Sequence, residues 1–137
     1  MYKSFKEMPI WHEAMEVVGQ ISHRSEKFPR KEDYGVTSQI RRSALSIFAN
    51  IAEGYSRRTI NEYLQFLNIA LGSCGELITR LLGLKEIGIL SELDFEEIDM
   101  LHCAVENKSI GLVKSLQAKR RQGGWFEEFG IESARND

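Results

Sequence analysis

Apolar positions along the chain recur at helical spacing in four separate segments, and none of them shows the strict alternation of a strand. In the first, from about residue 9 to 27, Ile10, Ala14, Val18 and Ile21 share one face, with Trp11, Met15 and Val17 alongside. Pro9 suits a first helical turn, where its missing N–H costs nothing. Phe28-Pro29 closes the segment, because a residue before proline is pushed out of the α region. The second segment spans about 34–55. Val36, Ile40, Ala44, Leu45, Ile47, Phe48, Ile51, Ala52 and Tyr55 cover roughly half the circumference at about 100° per residue. Arg41 intrudes on that arc, where a structural partner or a snorkelling stem is the expected role.

The third segment, about 60–87, opens on Thr59-Ile60-Asn61-Glu62, a capping box with Thr59 as N-cap. Its apolar arc runs through Tyr63, Leu67, Ala70, Cys74, Leu77, Leu81 and Leu84, flanked by Leu64, Phe66, Leu71, Ile78 and Leu82. Gly88 offers the left-handed stop that a helix end favours. The fourth segment, about 93–121, follows a similar box, Ser91-Glu92-Leu93-Asp94, and ends at Gly123-Gly124. Lys119, Arg120 and Arg121 fall in its last turn, where cations complement the helix dipole.

Short connections predict that successive helices lie antiparallel. The expected fold is therefore all-α, an antiparallel up-down-up-down four-helix bundle over residues 1–122. Residues 123–137 form an aromatic-acidic tail, in which Trp125 and Phe126 are expected to dock on the bundle. The apolar arcs of the second and third segments exceed the stripe of about 100° that one globular helix needs. That excess fits either two central, well-covered core helices or a surface shared between copies in a homo-oligomer. A small-residue stripe on the second helix, Ser46, Ala49, Asn50 and Gly54, would let a neighbouring backbone come close. Arg42, Ser46, Ala49 and Asn50 are the candidate oligomer interface.

Composition narrows the function. The 137 residues carry 18 Lys plus Arg against 20 Asp plus Glu, a formal charge of −2. That balance counts against a dedicated non-specific nucleic-acid binder, although a local basic patch remains compatible with it. No run approaches the roughly 18 consecutive apolar residues of a membrane span. Met1 is followed by Tyr2-Lys3-Ser4-Phe5-Lys6 rather than an apolar signal core, so a cytoplasmic location without membrane partners is expected. Cys74 and Cys103 form no disulfide framework; each reads as a small hydrophobe with a reduced thiol.

"FKEMPIWHEAMEV", "FPRKEDYGVTSQIRRSALSIFANIAEGYSRR", "EYLQFLNIALGSCGEL" and "KEIGIL" together resemble the four-helix-bundle family named after proteins encoded in 23S rRNA intervening sequences. The likeness covers about Phe5 to Leu116. Phe48 stands where that family often has proline, which removes the reason for a kink in the second helix. Family members are similar to the accessory variability determinant of diversity-generating retroelements, a pentameric barrel that associates with a reverse transcriptase and nucleic acid. The resemblance thus implies a homopentamer, and it makes structured RNA or a nucleoprotein the candidate partner.

The run "NIAEGYSRR" has one glycine and lies at a helix C-terminus, so it is a poor phosphate loop. Glu53 and Arg57 are spaced for an i,i+4 ion pair if the helix runs one turn further. In the expected topology Arg57 and Arg58 share a pole with Lys119, Arg120 and Arg121, and with Lys3 and Lys6. These residues are the candidate nucleic-acid surface. No catalytic or cofactor constellation stands out. A di-iron bundle needs paired Glu-x-x-His motifs, and Asp99-Met100-Leu101-His102 is a single imperfect match. His102 and Cys103 are neighbours that point about 100° apart on a helix, so no shared metal is expected. Gly72 and Gly75 are expected at close-packing positions, and His12 beside Glu16. The resulting expectation is a non-catalytic oligomeric adaptor with no cofactor, binding structured RNA or a nucleoprotein through its basic pole. The alternative is a protein-binding scaffold with no nucleic-acid role.

Overall fold

The computed structural model describes residues 3–123. A 3-10 turn at Phe5–Glu7 leads into α1 (Pro9–Ser25), a second 3-10 turn at Arg30–Glu32 precedes α2 (Val36–Tyr55), and α3 (Ile60–Glu86) and α4 (Glu92–Gln122) complete the order. The described residues contain no strand. The expected docking of Trp125 and Phe126 lies outside them.

The helix ends follow local chemistry. Thr59 has extended backbone, and its hydroxyl accepts from the Glu62 amide. The Glu62 carboxylate returns to the Thr59 hydroxyl at 3.2 Å, so the box closes through the side chain. Ser91 caps α4 by accepting from the Asp94 amide. Gly88 and Gly123 adopt φ of 83° and 73°, the left-handed geometry that releases a chain from a helix end. With Phe48 in place of a proline, α2 runs through unbroken, and the ring lies 5.1 Å from that of Trp11 on α1.

The four helices share one core. Ile40, Ile47, Ile51, Leu67, Leu77 and Leu81 are fully buried at its centre. The most extensive helix contact is between α2 and α3; α4 packs on α3, and α1 packs on both α2 and α4. Along α2 and α3, Ser43 meets Glu76 and Ser46 meets Ser73. Along α1 and α4, Glu13 pairs with Lys108 and Arg24 with Asp94. In both helix pairs one residue number rises as the other falls.

The packing bears on two expectations. The broad apolar arcs are mostly covered by the chain itself: on α2 only Leu45 of the named arc is exposed, and on α3 only Leu82. The two helices spread their arcs over several neighbours, which accounts for the width. Gly72 and Gly75 are not close-packing positions, since an added Cβ at either would meet nothing within 4 Å. By composition α3 is long and apolar enough to cross a membrane, but here its apolar side chains form the centre of the four-helix core.

Candidate functional site

Two surface regions contain the residues singled out from sequence. The first is the end of the molecule where α2 stops and α3 starts. Arg57 lies one turn past the last core residue of α2, and its guanidinium meets Glu53 at 2.6 Å, the expected i,i+4 pair. It also stacks over the Phe66 ring at 4.6 Å. Both contacts hold it against the body, so Arg57 is a half-buried structural cation more than a free one. Arg58 is exposed beside it.

Arg120, near the end of α4, donates to the side-chain Oδ1 of Asn61 at 2.8 Å. That bond ties the α4 terminus to the first turn of α3, three residues beyond Arg58. Arg121 is exposed and Lys119 half-buried. The N-terminal turn reaches the same region: burial, with the Glu7 charge adding to it, raises the Tyr55 phenol above the ordinary range. Lys3 donates its backbone amide to Glu7. The end is thus basic but not purely so, with Glu7, Glu53 and Glu62 set among the cations. His12 turns to the Lys6 carbonyl oxygen and not to Glu16, fastening the N-terminal turn to α1.

The second region is a polar cleft of about 300 Å³ between α2 and α3, lined by Arg42, Ser43, Ser46, Ser73, Glu76 and Arg80 among others. The Ser46 and Ser73 hydroxyls lie 2.7 Å apart, and Asn50 donates to the Ser46 carbonyl and hydroxyl at 2.7 and 3.1 Å. Arg80 donates to Ser43 at 3.0 Å and to Glu76 at 3.3 Å. The result is a polar seam of two hydrogen-bonded groups within one chain, Ser43–Glu76–Arg80 and Ser46–Ser73–Asn50.

The small-residue stripe of α2 is therefore divided. Gly54 is buried against Tyr63 and Phe66 of α3, and Ser46 and Asn50 are half-buried with partners in the same chain. Only Arg42 and Ala49 of the four candidate interface residues are fully exposed. Arg41 donates to the buried Ser25 hydroxyl at 3.0 Å, a structural role across α1 and α2. Ser73, Glu76 and Arg80 escaped the sequence reading. Their signal was a polar row at i, i+3 and i+7 along the flank of α3's apolar arc.

The helix positions around Cys74 and His102 also depart from expectation. The His102 ring is buried and its Nε2 lies 2.7 Å from the Cys74 carbonyl oxygen. Asp99, His102 and Cys103 each offer a ligand atom, and those atoms lie within 4.8 Å of one another. Asp99 and Cys103, one turn apart on α4, are in contact at 3.6 Å. Burial pushes the Cys74 thiol up to about 12, with the Glu106 charge adding to it.

The architecture defines an all-α, four-helix protein whose surface features are polar seams and helix-end cations. A family model described as 23S rRNA-intervening sequence protein matches residues 6–111. The chain belongs to this family. Among solved structures it is similar to a protein of unknown function from the S23 ribosomal protein family of Bacteroides thetaiotaomicron. That likeness has a TM-score of 0.71 at 23% identity, covering 77% of this chain and 98% of the other. At that identity it supports the shared fold. No curated protein matches the chain.

Proposed function

We propose that the protein is a non-catalytic adaptor, an up-down-up-down four-helix bundle that self-assembles into a ring, with a homopentamer as the expected form. In this reading its basic pole engages structured RNA or a nucleoprotein in the cytoplasm. The opposed order of pairings along α1/α4 and α2/α3 supports the topology. The observation that carries the binding role is the Arg120–Asn61 bond. It brings the Lys119-Arg120-Arg121 turn to the end of the molecule that holds Arg57 and Arg58. Repetition around a ring would multiply that charge, although each chain is formally negative.

Contacts of this kind go to phosphates, so they depend steeply on salt and little on base sequence. Arg58 and Arg121 are the residues to change, since both are exposed and Arg57 already serves the fold. A filter-binding titration with a structured RNA should show retention at low salt. In the Arg58→Glu/Arg121→Glu variant, retention should weaken and the slope of log K against log salt should flatten. The loss is about 0.7–0.9 for each phosphate contact removed. No retention by the parent protein at low salt would leave the protein-binding scaffold as the better reading.

A further inference from the structure

We propose that Asp99, His102 and Cys103 of α4 form a binding site for a single zinc-class divalent ion where α4 packs on α3. The three residues stand at i, i+3 and i+4, and their ligand atoms lie within 4.8 Å of one another. A tetrahedral ion with bonds of about 2.0–2.3 Å needs its ligands roughly 3.5 Å apart. The Cys103 sulfur and the Asp99 oxygen already stand at 3.6 Å. Cys103 is exposed and Asp99 half-buried, so both side chains can turn by the small remainder without disturbing the core.

The independent observation is the state of His102. The side chain is 2% exposed, yet its Nδ1 is buried with no hydrogen-bond partner. Its other nitrogen faces the Cys74 carbonyl oxygen at 2.7 Å. A carbonyl can only accept, so Nε2 carries the proton and Nδ1 is left with a lone pair. Metal-binding histidines are held in this way: the second ring nitrogen donates to a carbonyl or carboxylate, which fixes both ring and tautomer. An unpaired acceptor buried in protein is costly, and an ion beside it would satisfy it.

One nitrogen, one thiol sulfur and one carboxylate oxygen make a borderline-soft donor set, which suits zinc over magnesium or calcium. Glu106 lies one turn further along α4, and its charge acts on both Cys74 and Cys103. It or solvent would fill the fourth position. On binding, the Cys103 thiol proton leaves to solvent and the sulfur–metal bond forms, with no change of oxidation state. The site stands apart from the basic end of the molecule and does not depend on the RNA-binding reading.

Cobalt(II) reports such a site, because a thiolate ligand gives it a charge-transfer band in the near ultraviolet. The full-length, reduced protein is titrated with cobalt(II) and then with zinc(II). The expected result is a band that saturates at one ion per chain and is displaced by zinc. The chain has only two cysteines, so the ligand can be assigned. Cys103→Ser should abolish the band and Cys74→Ala should keep it. Asp99→Asn should weaken binding by about tenfold or more, since loss of a supporting partner alone costs that much. Asp99 and Cys103 are outside the core, so circular dichroism should show both variants folded. No band in the parent protein, or a band that survives Cys103→Ser, overturns the proposal.

Discussion

Gly54 of α2 lies so close to Phe66 of α3 that a Cβ on the glycine would sit 2.9 Å from the Phe66 Cβ. The Tyr63 ring would be 3.0 Å away. A Cβ beside the backbone cannot swing clear as a side-chain tip can, so the two helices must separate to admit it. Overpacking of this kind costs about 1–3 kcal/mol, more than the roughly 0.5–1 kcal/mol that alanine gains over glycine inside a helix. Gly54→Ala should therefore lower the urea midpoint with an unchanged m value. Gly19→Ala on exposed α1, where an added Cβ meets nothing within 4 Å, should raise it. A stabilised Gly54→Ala variant would show that α2 and α3 are less closely apposed.

Thr59 supplies the one side-chain cap at the start of α3, the helix that contributes most to the core. Its replacement by alanine leaves the Glu62 amide to water and removes the 3.2 Å contact with the Glu62 carboxylate. A lost N-cap costs about 1 kcal/mol, which for a domain of this size is a melting temperature lower by roughly 3–5 °C. Thr59→Ser keeps the acceptor and should hold most of the stability. Equal melting of Thr59→Ala and the parent protein would show that solvent serves the amide as well.

Buried acids that stay neutral make the fold sensitive to alkali. Burial, reinforced by Glu106, lifts the Cys74 thiol from 9.0 to about 12. Burial, reinforced by Tyr55, likewise raises the Tyr63 phenol above its ordinary 10.0. For both groups the unfolded chain loses the proton first. Between pH 9 and 12 the unfolded state therefore binds fewer protons than the folded one, and stability falls as pH rises. It is fully present below pH 9. Urea midpoints measured from pH 8 to 11 should decline, and the decline should be shallower in Cys74→Ala, whatever that variant loses in packing at pH 8. Parallel profiles for the two proteins would remove Cys74 from the account.

Helix positions were legible because their signals are local. Pro9, Thr59, Ser91, Gly88 and Gly123 mark ends that depend only on the flanking backbone. The pairing of Glu53 with Arg57 follows from spacing along a single helix. Features that depend on how helices face one another were not legible. The seam of Ser43, Ser46, Ser73 and Arg80 requires the register of α3 against α2, which the periodicity of either alone does not contain. The fork of Arg24 to Asp94 and Glu97 likewise joins helices far apart in sequence. His102 belongs with these, since its partner is the Cys74 carbonyl oxygen on another helix.

Ala49 tests the assembly. It is exposed on α2, and of the candidate interface residues it alone neither lines the polar cleft nor joins its hydrogen bonds. Leu45 lies one turn away and is 50% exposed, so the outer face of α2 is small and apolar at its middle. On α3, Ile69 and Leu82 are exposed, and nothing lies within 4 Å of a Cβ added at Gly72. Such a surface can admit another backbone, whereas a long cation at its centre would prop the helices apart and bury an unpaired charge. If the protein assembles as proposed, Ala49→Arg should therefore give a smaller species by light scattering while helical circular dichroism stays unchanged. The substitution points to solvent in the isolated chain and should leave its fold intact. An oligomer of unaltered mass would place the contact elsewhere, and a parent protein already monomeric would remove the ring, and with it the multiplied basic pole.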